Sequence, residues 1–367
     1  MKRILILEPY YGGSHKYFLD GLQQYIAAEY VLFTLPARNW QMKMQLAATW
    51  FVEQIKALPK KKRRVDAILC STFVDVAVLR ALLDRLAGWD QATRILTYFH
   101  ENQFAYPGRF TQPGHHFFAG INFHSALASD AIAFNSRYNM ESFFDGCRTG
   151  LKAAPDMKLP AVMAEIADKS RILHPGVIFS TIDGMEKTPQ PKEIPVIVWN
   201  HRWEHDKNPE SFFAALDVLE KSGIDFRLIV LGQSFPTSPA CFSQAEKKFQ
   251  DKILHFGFAQ SYRQYLQLLS MGDIVVSTAL HEFFGISIIE AVRAGCWPIL
   301  PDRLSYPELF DRRFLYTAGK LAETLGEVIT KGLGLRPGEA GSMTEKFGWQ
   351  HLKSGYTDWL WGPNSTP

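Results

Sequence analysis

At 367 residues the chain is too long for one ordinary core and suits two domains of common size. With 47% hydrophobic and 21% charged residues it is neither disordered nor fibrous. A net charge of +3 is no nucleic-acid field by itself, and Cys70, Cys147, Cys241 and Cys296 share no CxxC spacing that would suggest a zinc ribbon or a disulfide framework.

In chain order, the opening "MKRILILEPYYGG" carries only four consecutive apolar residues before Glu8, too few for a signal-peptide core or a membrane span. No later run approaches the ~18 apolar residues of a span, so a cytoplasmic protein is expected. "RILILEP", "YVLFTLP", "VDAILCST", "RILTYFHEN" and "ASDAIAFNS" read as buried strands, and "SHKYFLDGLQQYIAA" as an amphipathic helix among them. Alternating strands and helices predict a parallel sheet with helices on both faces, a Rossmann-like lobe over residues 1–183. Residues 184–195, "GMEKTPQPKEIP", have the three prolines and mixed charge of a linker. A second α/β series over residues 196–345 follows, with strands "VIVWNHR", "FRLIVLG", "KILHFGF", "DIVVSTA" and "CWPILP". Its helices are "PESFFAALDVLEKSG", "SYRQYLQLLSMG" and "GISIIEAVRAG". Residues 346–367 read as a last amphipathic helix and tail packing back across both lobes. Two such lobes are expected to face each other across a cleft between the carboxyl ends of their sheets.

The candidate chemistry gathers in two short strings. In "STALHEFFGISIIEAV", Gly285 lets backbone approach a ligand, and the amides of Phe283, Phe284, Gly285 and Ile286 lie at a helix N-terminus, where the dipole favours an anion. Glu282 and Glu290 flank that start; carboxylates accept hydroxyl hydrogen bonds, and equally an acid near a helix N-terminus is favoured for capping alone. In "HRWEHDKNPESFF", Arg202 and Lys207 leave a strand and precede a helix that Asn208 is expected to cap and Pro209 to open. Two cations there match a diphosphate, although a solvated loop would also hold them. The run Lys60, Lys61, Lys62, Arg63 and Arg64 is either a phosphate-binding patch or a solvated loop. No DxD pair or convincing metal cluster appears, so neither metal nor cofactor is expected.

R-x4-K followed by E-x7-E resembles the retaining glycosyltransferases of family 4, which have the GT-B fold. "EPYYGGSHKYFLDGL", "FTLPARNW", "YFHENQFAYP", "AFNSRYNMESFF" and "HRWEHDKNPESFF" bring the chain nearest to the tRNA-queuosine mannosyltransferases. His201 in place of a glycine, and "GCWPIL", depart from the broader pattern. The resemblance implies that Arg202 and Lys207 hold the donor diphosphate. It gives the sugar hydroxyls and distal phosphate to Glu282 with the amides of Phe283 to Gly285, and the ribose to Glu290. Gly12 and Gly13 form the turn after the first strand and are placed with the donor; His15, Glu101 and Asn102 are placed with the acceptor. His100 is counted with the catalytic groups, beside the alternative of a packed strand-end histidine. The implied reaction moves mannose from GDP-mannose to queuosine in a tRNA anticodon loop. Basic residues 60–64 with Lys16, Arg38, Lys43, Arg109 and Arg137 would face the RNA, and Phe104, Tyr106 and Phe110 would stack on a base. Alternatives are a lipid or glycan acceptor, for which "NWQMKMQLAATWFVEQIKAL" partly fits a membrane-surface helix, or a nucleotide-sugar epimerase or binding protein.

Overall fold

The computed structural model describes residues 1–106, 115–152, 155–185 and 194–362, without the side chains of 115 and 116. The chain divides into one unit of Met1–Gly176 with Trp349–Pro367 and another of Val177–Gly348. Most of the expected linker, residues 186–193, lies outside the described residues, as do Arg109 and Phe110.

The first unit runs β1 (Arg3–Tyr11), α1 (Gly13–Tyr25), β2 (Glu29–Pro36), α2 (Trp40–Ala57), β3 (Ala67–Ser71), α3 (Val76–Asp84), β4 (Arg94–Phe99), α4 (His115–Ala128), β5 (Ala131–Phe134), α5 (Arg137–Lys152), α6 (Pro160–Asp168) and β6 (Ser170–Ile172). Its sheet is parallel in the order β2-β1-β3-β4-β5-β6. Helices on a face of a parallel sheet require strands that are apolar on both sides, which is why Ile4 to Leu7 are all buried. Phe51, Val52 and Ile55 of α2 and Leu79 and Leu83 of α3 pack on Leu5, Leu7, Ile68 and Ile95.

The C-terminal helix, residues Trp349–Trp361, packs on this unit. The Trp349 indole lies so close to Gly21 and Gly176 that a Cβ there would stand 2.2 and 2.3 Å from it. Tyr356 Oη donates to His174 O at 2.8 Å, and Arg94 Nη1 donates to Leu360 O at 2.8 Å.

The second unit runs α7 (Ser180–Asp183), β7 (Val196–Asn200), α8 (Pro209–Lys221), β8 (Arg227–Leu231), α9 (Cys241–Lys248), β9 (Ile253–Gly257), α10 (Tyr262–Ser270), β10 (Ile274–Val276), α11 (Ile286–Ala294), β11 (Trp297–Pro301), α12 (Tyr306–Leu309), β12 (Leu315–Tyr316), α13 (Leu321–Thr330) and α14 (Glu339–Thr344). Its sheet is also parallel, in the order β12-β11-β10-β7-β8-β9. Val177 N donates to Phe347 O at 2.8 Å, so the chain enters and leaves this unit side by side. Residues 177–183 therefore belong with the second unit, and Arg293 of α11 holds Asp183 at 2.6 Å.

In both sheets the strand order reverses beside the unit's first strand, between β1 and β3 and between β7 and β10. Open α/β sheets bind ligands at the carboxyl ends of strands at such a reversal, where diverging connections leave room.

Two candidate sites at the sheet switch points

In the second unit, the loops after β7 and β10 are laced together. Leu280 N donates to Asp206 O at 2.8 Å and Thr278 Oγ1 donates to Lys207 O at 2.7 Å. This places Lys207, 7% exposed, against the start of α11. Its Nζ donates to His281 O at 2.5 Å and stands 3.4 Å from both Glu282 Oε2 and Asp206 Oδ2. Burial alone would raise the Glu282 carboxyl, but Lys207 first, then His201 and the Phe284 amide, outweigh it and hold Glu282 below the usual carboxylate range. The outcome is an ionised carboxylate beside an ammonium at the mouth of a helix.

Gly285 adopts φ 102°, a left-handed conformation that suits glycine, and turns the chain into α11. The first amides of a helix have no partner within it, so those of Gly285 and Ile286, at the positive end of the dipole, suit an anion. The Phe284 amide is already engaged by Glu282 Oε1 at 3.4 Å. Phe283 and Phe284 bury their rings, so only their backbone can serve the site.

Glu290 sits inside α11, buried, and its two oxygens accept from Tyr262 Oη at 2.7 Å and Tyr265 Oη at 3.0 Å. The sequence reading missed both tyrosines; their i,i+3 spacing on one helix face in "SYRQY" was the available signal. Arg202 is half exposed and pairs with Glu204 at 2.9 Å, unlike the buried Lys207. Asn208 makes no side-chain cap: it adopts φ 49° and Pro209 opens α8. His201 is buried, and burial followed by the Lys207 charge lowers its imidazole to about 4, leaving it neutral with Nε2 unpartnered.

In the first unit, a cluster forms at the carboxyl ends of β1, β3 and β4. Gly12 is extended, with Ala37 Cβ only 2.6 Å from where its own Cβ would stand, and Gly13 takes φ 50° to start α1. That turn brings His15 back over β1. His15 Nδ1 lies 3.0 Å from Glu8 Oε2 and Nε2 lies 3.4 Å from Glu101 Oε2. Burial opposes a charge on His15, but Glu8 and then Glu101 outweigh it and push it up to about 10. Burial and the neighbouring His15 charge hold His100 well below its ordinary value. The ligand atoms of Glu8, His15 and His100 lie within 4.8 Å of one another. A cation nevertheless fits poorly, because an imidazolium bonded to a carboxylate at each nitrogen has no lone pair left to coordinate.

The remaining positions divide. Asn102 is fully buried, with Nδ2 donating to Asn139 Oδ1 at 2.9 Å and Ser142 Oγ at 2.9 Å, so it holds the loop after β4. Phe104 packs on α5 against Gly146 and Phe143, while Tyr106 stacks near Trp40. Lys60, Lys61, Lys62 and Arg63 form an exposed 3₁₀ turn followed by Arg64. Arg63 is occupied there, donating to Leu58 O at 2.9 Å and Lys56 O at 2.6 Å at the end of α2. Lys16 pairs with Asp20, and Lys43 donates to Pro36 O.

Residues 3–177 match the family described as tRNA-queuosine alpha-mannosyltransferase N-terminal, and residues 182–336 match Glycosyl transferases group 1. The tRNA-queuosine alpha-mannosyltransferase of Drosophila melanogaster is 34% identical over 88% of this chain and 85% of its own. The chain belongs to the tRNA-queuosine alpha-mannosyltransferase family. It is therefore a glycosyltransferase, and by family a mannosyltransferase. A second relative, the GDP-mannose:cellobiosyl-diphosphopolyprenol alpha-mannosyltransferase of Xanthomonas oryzae pv. oryzae, is 24% identical over 54% of each chain. The GT-B fold is shared with a Rickettsia africae glycosyltransferase, at TM-score 0.66 and 16% identity over 99% of both chains. It is also shared with Anabaena HepE in complex with UDP, at TM-score 0.68 and 14% identity over 98% of this chain and 99% of that one.

Proposed function

We propose that this mannosyltransferase moves mannose from GDP-mannose, with retention, to the cyclopentene-diol of queuosine in a tRNA anticodon loop, in the cytoplasm. The observation that carries the donor half is the buried Lys207 ammonium, 3.4 Å from the ionised Glu282 at the start of α11. An ammonium, the exposed Arg202 fork and the first amides of α11 together match a diphosphate whose negative charge grows as it leaves. Glu282 would accept from sugar hydroxyls, and Glu290, with two tyrosine hydroxyls fixing its oxygens, from the ribose. In the same-face route the acceptor oxygen bonds to the anomeric carbon as the carbon–oxygen bond to the diphosphate breaks, and the acceptor proton passes to the departing phosphate. No carboxylate nucleophile is needed, and Lys207 and Arg202 supply the charge that a divalent ion supplies elsewhere. The choice of mannose and queuosine follows the Drosophila relative and the N-terminal family match, and that of GDP follows the name of the Xanthomonas relative.

One observation favours a lipid-linked acceptor instead: Met42, Leu46 and Trp50 lie at four-residue spacing on α2 and are 55%, 56% and 38% exposed. Among the described residues no helix is long and apolar enough to cross a membrane. Purified protein is incubated with GDP-mannose, GDP-glucose or UDP-glucose and with tRNA from cells that have or lack queuosine. A hexose mass on queuosine alone, removable by an α-mannosidase and formed only from GDP-mannose, is expected. Equal labelling of both tRNA pools, or labelling of polyprenol extracts only, overturns the reading.

A further inference from the structure

Glu8 opens the string "EPYYGGSHKYFLDGL" but was given no role there, yet it anchors a buried charged cluster of the first unit. Its Oε1 accepts from the Tyr10 amide at 2.7 Å and Ser71 Oγ at 3.1 Å, and its Oε2 pairs with His15. Glu8 and His15 are 2% and 3% exposed, so an ion pair has been taken out of water. Such burial stabilises little by itself and is retained where it fixes something else. Here it fixes Glu101, whose Oε2 meets His15 and whose Oε1 accepts from Thr72 Oγ1 at 2.9 Å.

Glu101 is the one carboxylate of the cluster that still reaches the surface, 15% exposed at its side chain. Beside it in sequence, His100 is 7% exposed and stacks on His15 with centroids 4.0 Å apart. Phe73 covers the other face of His15, with centroids 5.4 Å apart and planes 7° from parallel. Among the described residues the ring nitrogens of His100 have no hydrogen-bond partner. They are not among the fully buried atoms without a partner, and a neutral imidazole offers one N–H and one lone pair. Glu101 offers lone pairs only. The pair thus presents acceptors and one donor, the complement of adjacent hydroxyl groups. The two carboxylates and one imidazolium sum to one negative charge, which repels a phosphate and tolerates a neutral polyol.

We propose that Glu101 and His100 bind the vicinal diol of the acceptor, and that Glu8 is a positioning residue which holds His15, and through it Glu101, in place. The proposal rests on the acceptor reading above and adds to it the groups that recognise the diol. Glu8 acts only through His15. The Glu8 charge is also felt by the Lys43 ammonium from α2 and by the buried Cys70 thiol from β3, which stays protonated.

The test uses the full chain and three equilibrium measurements: binding of queuosine-containing tRNA, of queuosine-lacking tRNA, and of GDP-mannose alone. Wild type should prefer the queuosine-containing tRNA. E101Q should lose most of that preference, on the order of 10–100-fold for one hydrogen-bonded charge, with GDP-mannose affinity unchanged. E8Q should raise the acceptor KM more than it lowers kcat, and the acceptor KM should begin to rise at lower pH than in the wild type, because Glu8 is the larger of the two charges that hold His15 up at about 10. If E8Q does not fold, E101Q at its partly exposed position decides alone. Weakened GDP-mannose binding with the tRNA preference intact would assign the pair to the donor sugar and overturn the proposal. A wild type that binds both tRNAs equally would instead remove the acceptor reading itself.

Discussion

Replacing Lys207 with Met removes the ammonium and keeps most of the apolar stem. Its Nζ donates to His281 O at 2.5 Å and faces Glu282 at 3.4 Å, and the two side chains are 9% and 20% exposed. Removing one partner of a fully buried pair costs about 3–5 kcal/mol; Glu282 retains some water, so about 2–3 kcal/mol is expected. In a unit of this size that lowers the Tm by roughly 4–12 °C. The effect on turnover is separate: loss of a transition-state charge partner costs about 2–4 kcal/mol, or roughly 30- to 1,000-fold in kcat. Glu282 also loses the strongest of the partners that oppose its burial, so its carboxyl titrates at higher pH. A reaction that needs the carboxylate loses rate as pH falls, and in K207M that loss begins nearer neutrality. The assay is initial-rate mannose transfer from pH 5 to 9 beside thermal unfolding, with the exposed Lys331, just after α13, changed to Ala as an unaffected control. Turnover within about threefold of wild type in folded K207M, with the acidic limb unmoved, would refute the assignment of Lys207 to the leaving diphosphate.

His15 is raised to about 10 in the folded state against about 6.5 unfolded, so its stabilisation is full below about pH 6.5 and disappears as pH rises through 10. Unfolding of the wild type should show up to about 1.4 kcal/mol less stability per pH unit across that window, and H15F should flatten the slope; parallel profiles would contradict the buried imidazolium. Gly232 has φ 152°, and a Cβ there would stand 1.9 Å from the His201 carbonyl, so G232A should displace the end of β7 that leads to Arg202 and cost about 2 kcal/mol or more by thermal unfolding, with kcat/KM falling. E290Q keeps the shape but turns an acceptor into a donor toward Tyr262 or Tyr265, and should raise the donor KM roughly 5- to 30-fold with kcat little changed; a fall in kcat at constant KM would place Glu290 at the reacting carbon.

The candidate donor site was legible as a cluster because its residues lie in two short strings whose local chemistry is self-contained. A glycine with φ 102° before a helix, flanked by acids, and two cations after a strand can each be read without knowing the sheet order. The long buried strands were legible for a related reason, since parallel sheets covered on both faces leave continuous apolar runs. The strands Ser170–Ile172 and Leu315–Tyr316 were not, being three and two residues long and too short for any pattern. Asn102 illustrates a different limit. A polar residue in a conspicuous motif looked like a ligand contact, and only the packing shows its amide occupied by Asn139 and Ser142. The Glu8 cluster required tertiary order outright: β1, β3 and β4 must lie side by side before Glu8, Ser71, Thr72 and Glu101 can meet around His15.

Both units exploit the same topological reversal with opposite electrostatics. At the β7/β10 reversal a buried ammonium, a half-exposed guanidinium and the start of α11 concentrate positive charge, which suits a diphosphate. At the β1/β3 reversal two carboxylates surround one imidazolium, and of these three groups Glu101 alone is partly exposed. A phosphate would be repelled there, so on the proposed reading the RNA backbone is met elsewhere. The exposed lysines 60–62 remain for that role, since Arg63 beside them already caps the end of α2. Replacing Lys60, Lys61 and Lys62 together by Ala should weaken tRNA binding equally for queuosine-containing and queuosine-lacking pools and reduce the salt dependence by up to about three phosphate contacts. An unchanged salt slope would make this turn a solvated loop.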